Sequence, residues 1–304
     1  MKAQWLLFFL LFSCAGTAWG QTCTYTVEPT VDFGSITGLP TPQIDVSADI
    51  TVTCPAMDPP GERRVCISLP VGSGGVSFAD RRMVNGGFDV QYQLYRNAGR
   101  TLVWGNVAGG QERILLFPLV GGTRVATVFG RVFSGQTGKS VGLYQSVLSG
   151  IEVREGTPMQ LCSAITNIFI LPDTITAQLD IQPDCTISAN PLNFGTVNSV
   201  GVQDASSNLS VTCTLNGAYT IALDGGTTTG DVNDRKMQLG TDTIDYQLYS
   251  DAARTQVWGD TAGTTVDGTG SGDPQSIPVF GRVPAQGPKP EGTYQDTITA
   301  TVTF

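Results

Sequence analysis

Residues 80–105 of this chain are written twice. Asp80-Arg81-Arg82-Met83 returns as Asp234-Arg235-Lys236-Met237, and Tyr92-Gln93-Leu94-Tyr95 as Tyr246-Gln247-Leu248-Tyr249. Arg100-Thr101-Leu102-Val103-Trp104-Gly105 returns as Arg254-Thr255-Gln256-Val257-Trp258-Gly259, and all three pairs share one offset of 154 residues. Outward from this block, Phe33-Gly34 and Val52-Thr53-Cys54 are echoed by Phe194-Gly195 and Val211-Thr212-Cys213. Val128-Phe129-Gly130-Arg131-Val132 is echoed by Val279-Phe280-Gly281-Arg282-Val283, and Tyr144-Gln145 by Tyr294-Gln295. A period this long exceeds that of solenoid repeats and marks duplication of a whole domain.

The duplicated unit reads as β-structure. Charged residues make up 14% of the 304 positions, against roughly 25% in ordinary soluble domains. With 37 Gly and 17 Pro, this argues against helical bundles, coiled coils and charged disordered tails. Ile50-Thr51-Val52-Thr53-Cys54, Val90-Gln91-Tyr92-Gln93-Leu94-Tyr95 and residues 147–153 alternate or are β-branched between Gly, Pro, Asn and Asp. In Ile298-Thr299-Ala300-Thr301-Val302-Thr303-Phe304, every second residue is apolar and every residue between is Thr, so one face packs inward and one is wet. The fold class is therefore all-β, with two β-sandwiches in tandem. The chain has no histidine, which removes Ser-His-Asp and Cys-His catalysis and most zinc or copper sites. No cofactor is expected. A net charge of −9 with scattered basic residues makes nucleic acid a poor partner.

The first twenty residues read as an export signal: Met1-Lys2, the apolar Trp5-Leu6-Leu7-Phe8-Phe9-Leu10-Leu11-Phe12, then Ala18-Trp19-Gly20 as a small-x-small cleavage site. A lipoprotein cut before Cys14 is the alternative, which the bulky Phe12 fits badly. Cys14 leaves with the signal, and Cys23, Cys54, Cys66, Cys162, Cys185 and Cys213 remain, an even set in an exported chain. The repeat aligns Cys23 with Cys185 and Cys54 with Cys213, which pairs Cys23 with Cys54 and Cys185 with Cys213. Cys66 and Cys162 have no counterparts and pair with each other. In the loop-entropy account each short bridge contributes roughly 3.5–4 kcal/mol and the long one roughly 4.5.

Taken together, the FG, VTC, DRxM, YQLY, RTxVWG and FGRV motifs and the final YQD-TITATV-F run resemble the spore coat protein U domain family. That family includes subunits of archaic (Csu-type) chaperone–usher pili. The resemblance covers nearly all of the exported chain, twice. It implies immunoglobulin-like sandwiches of which the second lacks its final strand. It also implies as partners a periplasmic chaperone, an outer-membrane usher and the donor strand of the next pilin subunit. Only Gln21-Thr22 precede Cys23, too little for a donor extension, so the expected place is the tip of a fibre at the cell surface. The edge left for chaperone and donor strand is expected at Ile298, Ala300, Val302 and Phe304, where the sequence stops.

The expected organisation is a signal over 1–20, an adhesin domain over 21–172 and an assembly domain over 173–304. Residues 157–171, including Cys162 and Ile168-Phe169-Ile170-Leu171, are expected to add a strand that closes the first sandwich within the chain. Pro172-Asp173 is the expected linker, and Ile175, Ala177, Leu179 and Ile181 the opening strand of the second domain.

The halves differ most between RTxVWG and FGRV. There the first half carries Ile114-Leu115-Leu116-Phe117-Pro118-Leu119-Val120 between Gly109-Gly110 and Gly121-Gly122, and the second carries Thr, Gly, Asp and Ser. Read as non-alternating, and with Pro118 against a central strand, this run is a candidate apolar finger for an abiotic or host surface; the competing reading is a cap on the core. Residues 35–45 and 71–78 are weaker candidates. Trp104, Trp258 and the recurrent Arg100, Arg131, Arg254 and Arg282 read as structural. The leading function is a pilus tip adhesin that attaches to surfaces and promotes biofilm. The alternatives are a carbohydrate-binding adhesin using Tyr25, Trp104 and Asp89, and a passive coat or matrix protein. No carboxylate pair supports a hydrolase, and the chain reads as no enzyme.

Overall fold

A computed structural model describes residues 22–56, 61–196 and 201–304. The expected export signal over 1–20 lies outside the described residues. Among them, no helix is long and apolar enough to cross a membrane.

Strands β1 (Thr24–Val27), β2 (Thr30–Thr37), β3 (Ile44–Cys54), β4 (Arg63–Ser68), β5 (Arg81–Asn85), β6 (Phe88–Tyr95), β7 (Arg113–Phe117), β8 (Gly122–Val132), β9 (Gly142–Leu148), β10 (Glu152–Gly156), β11 (Ile168–Ile170) and β12 (Ile175–Gln182) build the first module. They form a large sheet in the order β1-β3-β8-β6-β5-β9-β12-β2 and a small one in the order β11-β10-β4-β7. The inward halves of the alternating strands meet between the sheets, with Ile50, Val52, Met83, Val90, Leu94, Val128 and Tyr144 buried there. The second module comprises β13 (Cys185–Ala189), β14 (Gln203–Cys213), β15 (Ala218–Leu223), the single-turn α1 (Gly226–Thr229), β16 (Lys236–Leu239), β17 (Asp242–Asp245), β18 (Gln247–Tyr249), β19 (Val266–Thr269), β20 (Gln275–Val283) and β21 (Ala300–Thr303). Its strands repeat those of the first: β14, β15, β19, β20 and β21 stand where β3, β4, β7, β8 and β10 stand.

The repeated motifs have one structural meaning in both halves. The Arg of DRxM is a buried guanidinium held by neutral acceptors. Arg81 donates to the Trp104 carbonyl at 2.7 Å and to Gln93 Oε1 at 3.3 Å; Arg235 donates to the Trp258 carbonyl at 2.9 Å and to Gln247 Oε1 at 2.7 Å. Burial lowers the Arg81 pKa to about 10. The two Trp rings are wholly buried and donate to the Ile67 and Ile221 carbonyls, so they pin β4 and β15 from inside. Gly130 and Gly281 of FGRV lie under Phe33 and Phe194; a Cβ there would come within 3.0 Å and 2.8 Å of those rings. Arg131 and Arg282 grip Asp45 and Asp204 in matching two-bonded pairs. The recurrent arginines are thus structural.

All three disulfides form: Cys23–Cys54, Cys66–Cys162 and Cys185–Cys213. Two sequence expectations are corrected. β11 does not close the first sandwich; it pairs with β10 at the edge of the small sheet. The closing strand is β12, which was assigned by pattern to the second domain. It lies in the large sheet of the first, antiparallel to β9 and parallel to β2. Its alternation is genuine, but a period of two names the buried face and not the sheet that buries it. Pro172-Asp173 therefore leads into a strand of the same sandwich, and only Pro183-Asp184 separate β12 from β13. The modules also touch: Val141 N–H donates to the Leu215 carbonyl and Asn216 Nδ2 to Ser140 Oγ, both at 3.0 Å.

Leu179 is fully buried in β12. Leu179→Ala is expected to destabilise the first module by about 2–5 kcal/mol in urea denaturation, the range for a large-to-small core change. An unchanged midpoint is the result expected only of a strand that does not pack.

Candidate functional site

The slot that β12 fills is defined by its register. Ile175, Ala177 and Leu179 lie opposite Leu148, Ser146 and Tyr144 of β9, and Ile181 opposite Gly142. On its other side β12 runs along β2, bringing Val31 and Phe33 beneath it. The inward side chains of β9 and β12 have 0–1% exposure.

The second module has the same walls. Gln295 bridges Gln238 as Gln145 bridges Val84, so residues 292–298 stand where β9 stands, with Tyr294, Asp296 and Ile298 in the places of Tyr144, Ser146 and Leu148. Phe194 repeats Phe33 down to its edge-on contact with a tyrosine: Phe33 meets Tyr92 at 6.1 Å, and Phe194 meets Tyr246 at 6.2 Å. Among the described residues no strand occupies the position of β12. The effect is visible on both neighbours. Residues 191–196, equivalent to β2, form no strand, and residues 292–298 keep only the one bridge to β16 that β9 also makes to β5. Leu192, Phe194, Met237, Ile244 and Ile298 are only partly buried where their counterparts are sealed. The result is an apolar groove flanked by an unpaired strand edge.

Of the residues expected at this edge, Ile298 borders the groove. Ala300 and Val302 lie on β21, which pairs with β15 in the facing sheet, so they floor the groove and do not form its edge. Phe304 follows β21 and is 52% exposed. Sequence reading missed Asp296, although the repeat carries the signal: Tyr144-Gln145-Ser146 becomes Tyr294-Gln295-Asp296. Asp296 Oδ1 accepts from Thr227 Oγ1, Thr228 N–H, Thr228 Oγ1 and Thr297 N–H at 2.9–3.1 Å, and Oδ2 accepts from the Tyr246 hydroxyl at 2.7 Å. Burial, and then the bond to Asp296, push the Tyr246 hydroxyl pKa far above its ordinary value.

The apolar run of the first module is placed differently from the expectation. Residues 113–117 alternate in burial though not in residue type, and form β7, an edge strand on β4. Leu115 and Phe117 enter the core; Ile114 and Leu116 face outward. Pro118, Leu119 and Val120 form a turn closed by Gly121 N–H donating to the Pro118 carbonyl, with Val120 80% exposed. A free finger over the whole of 114–120 is thus corrected to an apolar edge and its turn. Of the weaker candidates, Ile36 is buried and Val76 is exposed. Met159, Leu161, Ile168 and Ile170 are further exposed apolar residues, which the reading of 157–171 as a closing strand concealed. The trio considered for sugar does not form a site. Trp104 is core, the Tyr25 hydroxyl donates to Glu155, and Asp89 is paired with Arg82 and Lys139.

Two copies of the Spore Coat Protein U domain model match, over residues 11–150 and 172–301. The chain belongs to that family. It is 37% identical over 153 residues to Protein U of Myxococcus xanthus, an alignment covering 43% of this chain and 86% of that protein. Among solved structures, it is similar to the CsuC–CsuE chaperone–tip adhesion subunit complex of Acinetobacter baumannii, with 17% identity, 92% and 100% of the two chains covered and a TM-score of 0.47. It is also similar to the CupB6 tip adhesin of Pseudomonas aeruginosa, with 10% identity, 94% and 95% covered and a TM-score of 0.40.

Amide hydrogen exchange is expected to be much faster at Tyr294, Asp296 and Ile298 than at Tyr144, Ser146 and Leu148, whose strand is laddered by β12. Equal protection at the two sets is the outcome that contradicts an open edge.

Proposed function

We propose that this protein is the terminal, adhesive subunit of a chaperone–usher pilus, exported to the cell surface, with its second module receiving a strand from another chain. One observation carries the reading. A slot between equivalent walls is filled by β12 in the first module and is open in the second. β12 lies immediately before Cys185, where an N-terminal extension of the second module would lie, and it is consumed within the chain. The protein therefore accepts one strand and offers none from this segment, which suits the end of a fibre. A periplasmic chaperone, then the neighbouring subunit at the usher, are the occupants the family suggests. Strand addition at an unpaired edge supplies backbone hydrogen bonds, and alternate side chains filling the groove supply specificity.

The first module is complete and is the half free to meet a surface. Ile114, Leu116, Leu119 and Val120 are its proposed adhesive residues, because they are large, apolar and exposed on one edge strand and its turn. Contact with an abiotic or host surface and support of biofilm follow from this binding role; no catalysis is assigned.

Deletion of 114–120 removes core residues and tests folding, not adhesion. The informative variant is Leu116→Ser/Leu119→Ser/Val120→Ser, expected to lower attachment to polystyrene at least severalfold with secretion and fibre number unchanged. Antibodies to the chain are expected to label fibre ends in electron micrographs. Label along the shaft, or full attachment by the triple variant, overturns the corresponding half of the proposal.

A further inference from the structure

The two slots share their shape and differ in one wall. In the first module the position opposite Ala177 is Ser146, wholly buried against the Tyr92 hydroxyl, and Gly72 closes over both. A Cβ on Gly72 would stand 2.4 Å from Ser146 Oγ and 3.2 Å from the Tyr92 hydroxyl. The second module repeats the cluster as Asp296, Tyr246 and Gly226, where a Cβ would stand 2.0 Å from Asp296 Oδ2. A neutral hydroxyl has become a carboxylate at the centre of the groove wall.

From this we infer that Asp296 sets the sequence of the strand the groove accepts: the residue opposite it must be small and must carry a hydroxyl donor, as Ser or Thr does. The inference rests on the reading of the groove as a strand acceptor. The register of β12 places one donor residue directly across from Asp296 on the same face, where Cβ atoms of an antiparallel pair lie about 4.5–5.5 Å apart. Seating a strand buries the carboxylate as Ser146 is buried, and a buried charge is costly unless its oxygens are bonded. Oδ1 already has four donors. Oδ2 has one partner among the described residues, the Tyr246 hydroxyl, and a carboxylate oxygen accepts about two. A Ser or Thr at this position supplies the second. Ala leaves it unmet, and Asp or Glu adds a like charge in a site closed by Gly226. The chain's own β12 carries Ala177 here, matched to Ser146 and mismatched to Asp296, which disfavours pairing between two copies of this chain.

The test uses the full exported chain and labelled peptides with the β12 sequence Ile-Thr-Ala-Gln-Leu-Asp-Ile-Gln, together with versions carrying Ala177→Ser and Ala177→Asp. Fluorescence anisotropy is expected to show the Ser peptide binding about tenfold or more tightly than the parent, the scale of a hydrogen bond to a charged group, and the Asp peptide more weakly than either. In Asp296→Ser the Ser and parent peptides are expected to bind within about twofold of each other. Asp296→Asn, which keeps the shape of the wall, is expected to reduce discrimination against the Asp peptide. Equal binding of Ser and parent peptides to the unaltered chain overturns the assignment to Asp296 while leaving the acceptor groove intact. Failure of all three peptides to bind overturns the acceptor reading itself.

Discussion

The seating of β12 between β9 and β2 is the interaction on which the first module depends. Without it β2, the last strand in the order β1-β3-β8-β6-β5-β9-β12-β2, loses its only hydrogen-bonded partner and the sheet ends at β9. Four apolar side chains from one strand complete a core that spans residues far apart in the chain, from Val31 to Ile181. The second module shows what the same walls look like with the strand missing. Residues 191–196 of its β2 equivalent form no strand, its β9 equivalent keeps only the bridge to β16, and its groove residues are partly wet. The duplication makes the molecule its own control.

What holds the two modules in a common shape despite this difference is a set of contacts that do not need the strand in the slot. The buried Arg–Gln–Trp cluster, the glycine beneath the phenylalanine ring and the disulfide tying the opening strand to the long strand it pairs with recur in both. The groove side of the second module is left to be ordered by whatever fills it, which is the usual physics of an edge awaiting a strand.

Much of this was legible in the sequence. The repeat, the all-β class, the disulfide pairs and the structural character of Trp104 and the recurrent arginines follow from spacing and alternation. The ownership of β12 did not, because Ile175, Ala177, Leu179 and Ile181 alternate identically whichever sheet they join, and β2 and β9 lie about 145 and 33 residues upstream. The apolar run at 114–120 was misjudged for a related reason. Its outward residues are apolar too, so alternation of burial at β7 is not an alternation of residue type. Asp296 was visible as a departure from the repeat, but its weight came from seeing it on the groove wall opposite the position of Ala177.

The short stretch 171–174 between β11 and β12 has a consequence for timing. The strand that completes the first module is tethered to it, so its docking is an intramolecular event with a fixed effective concentration and does not depend on how much protein or partner is present. On the proposed function, the second module is completed only by mass action, to an extent set by the supply of the incoming strand. On that proposal, one polypeptide couples a half that matures unaided to a half whose maturation reports the presence of a neighbour.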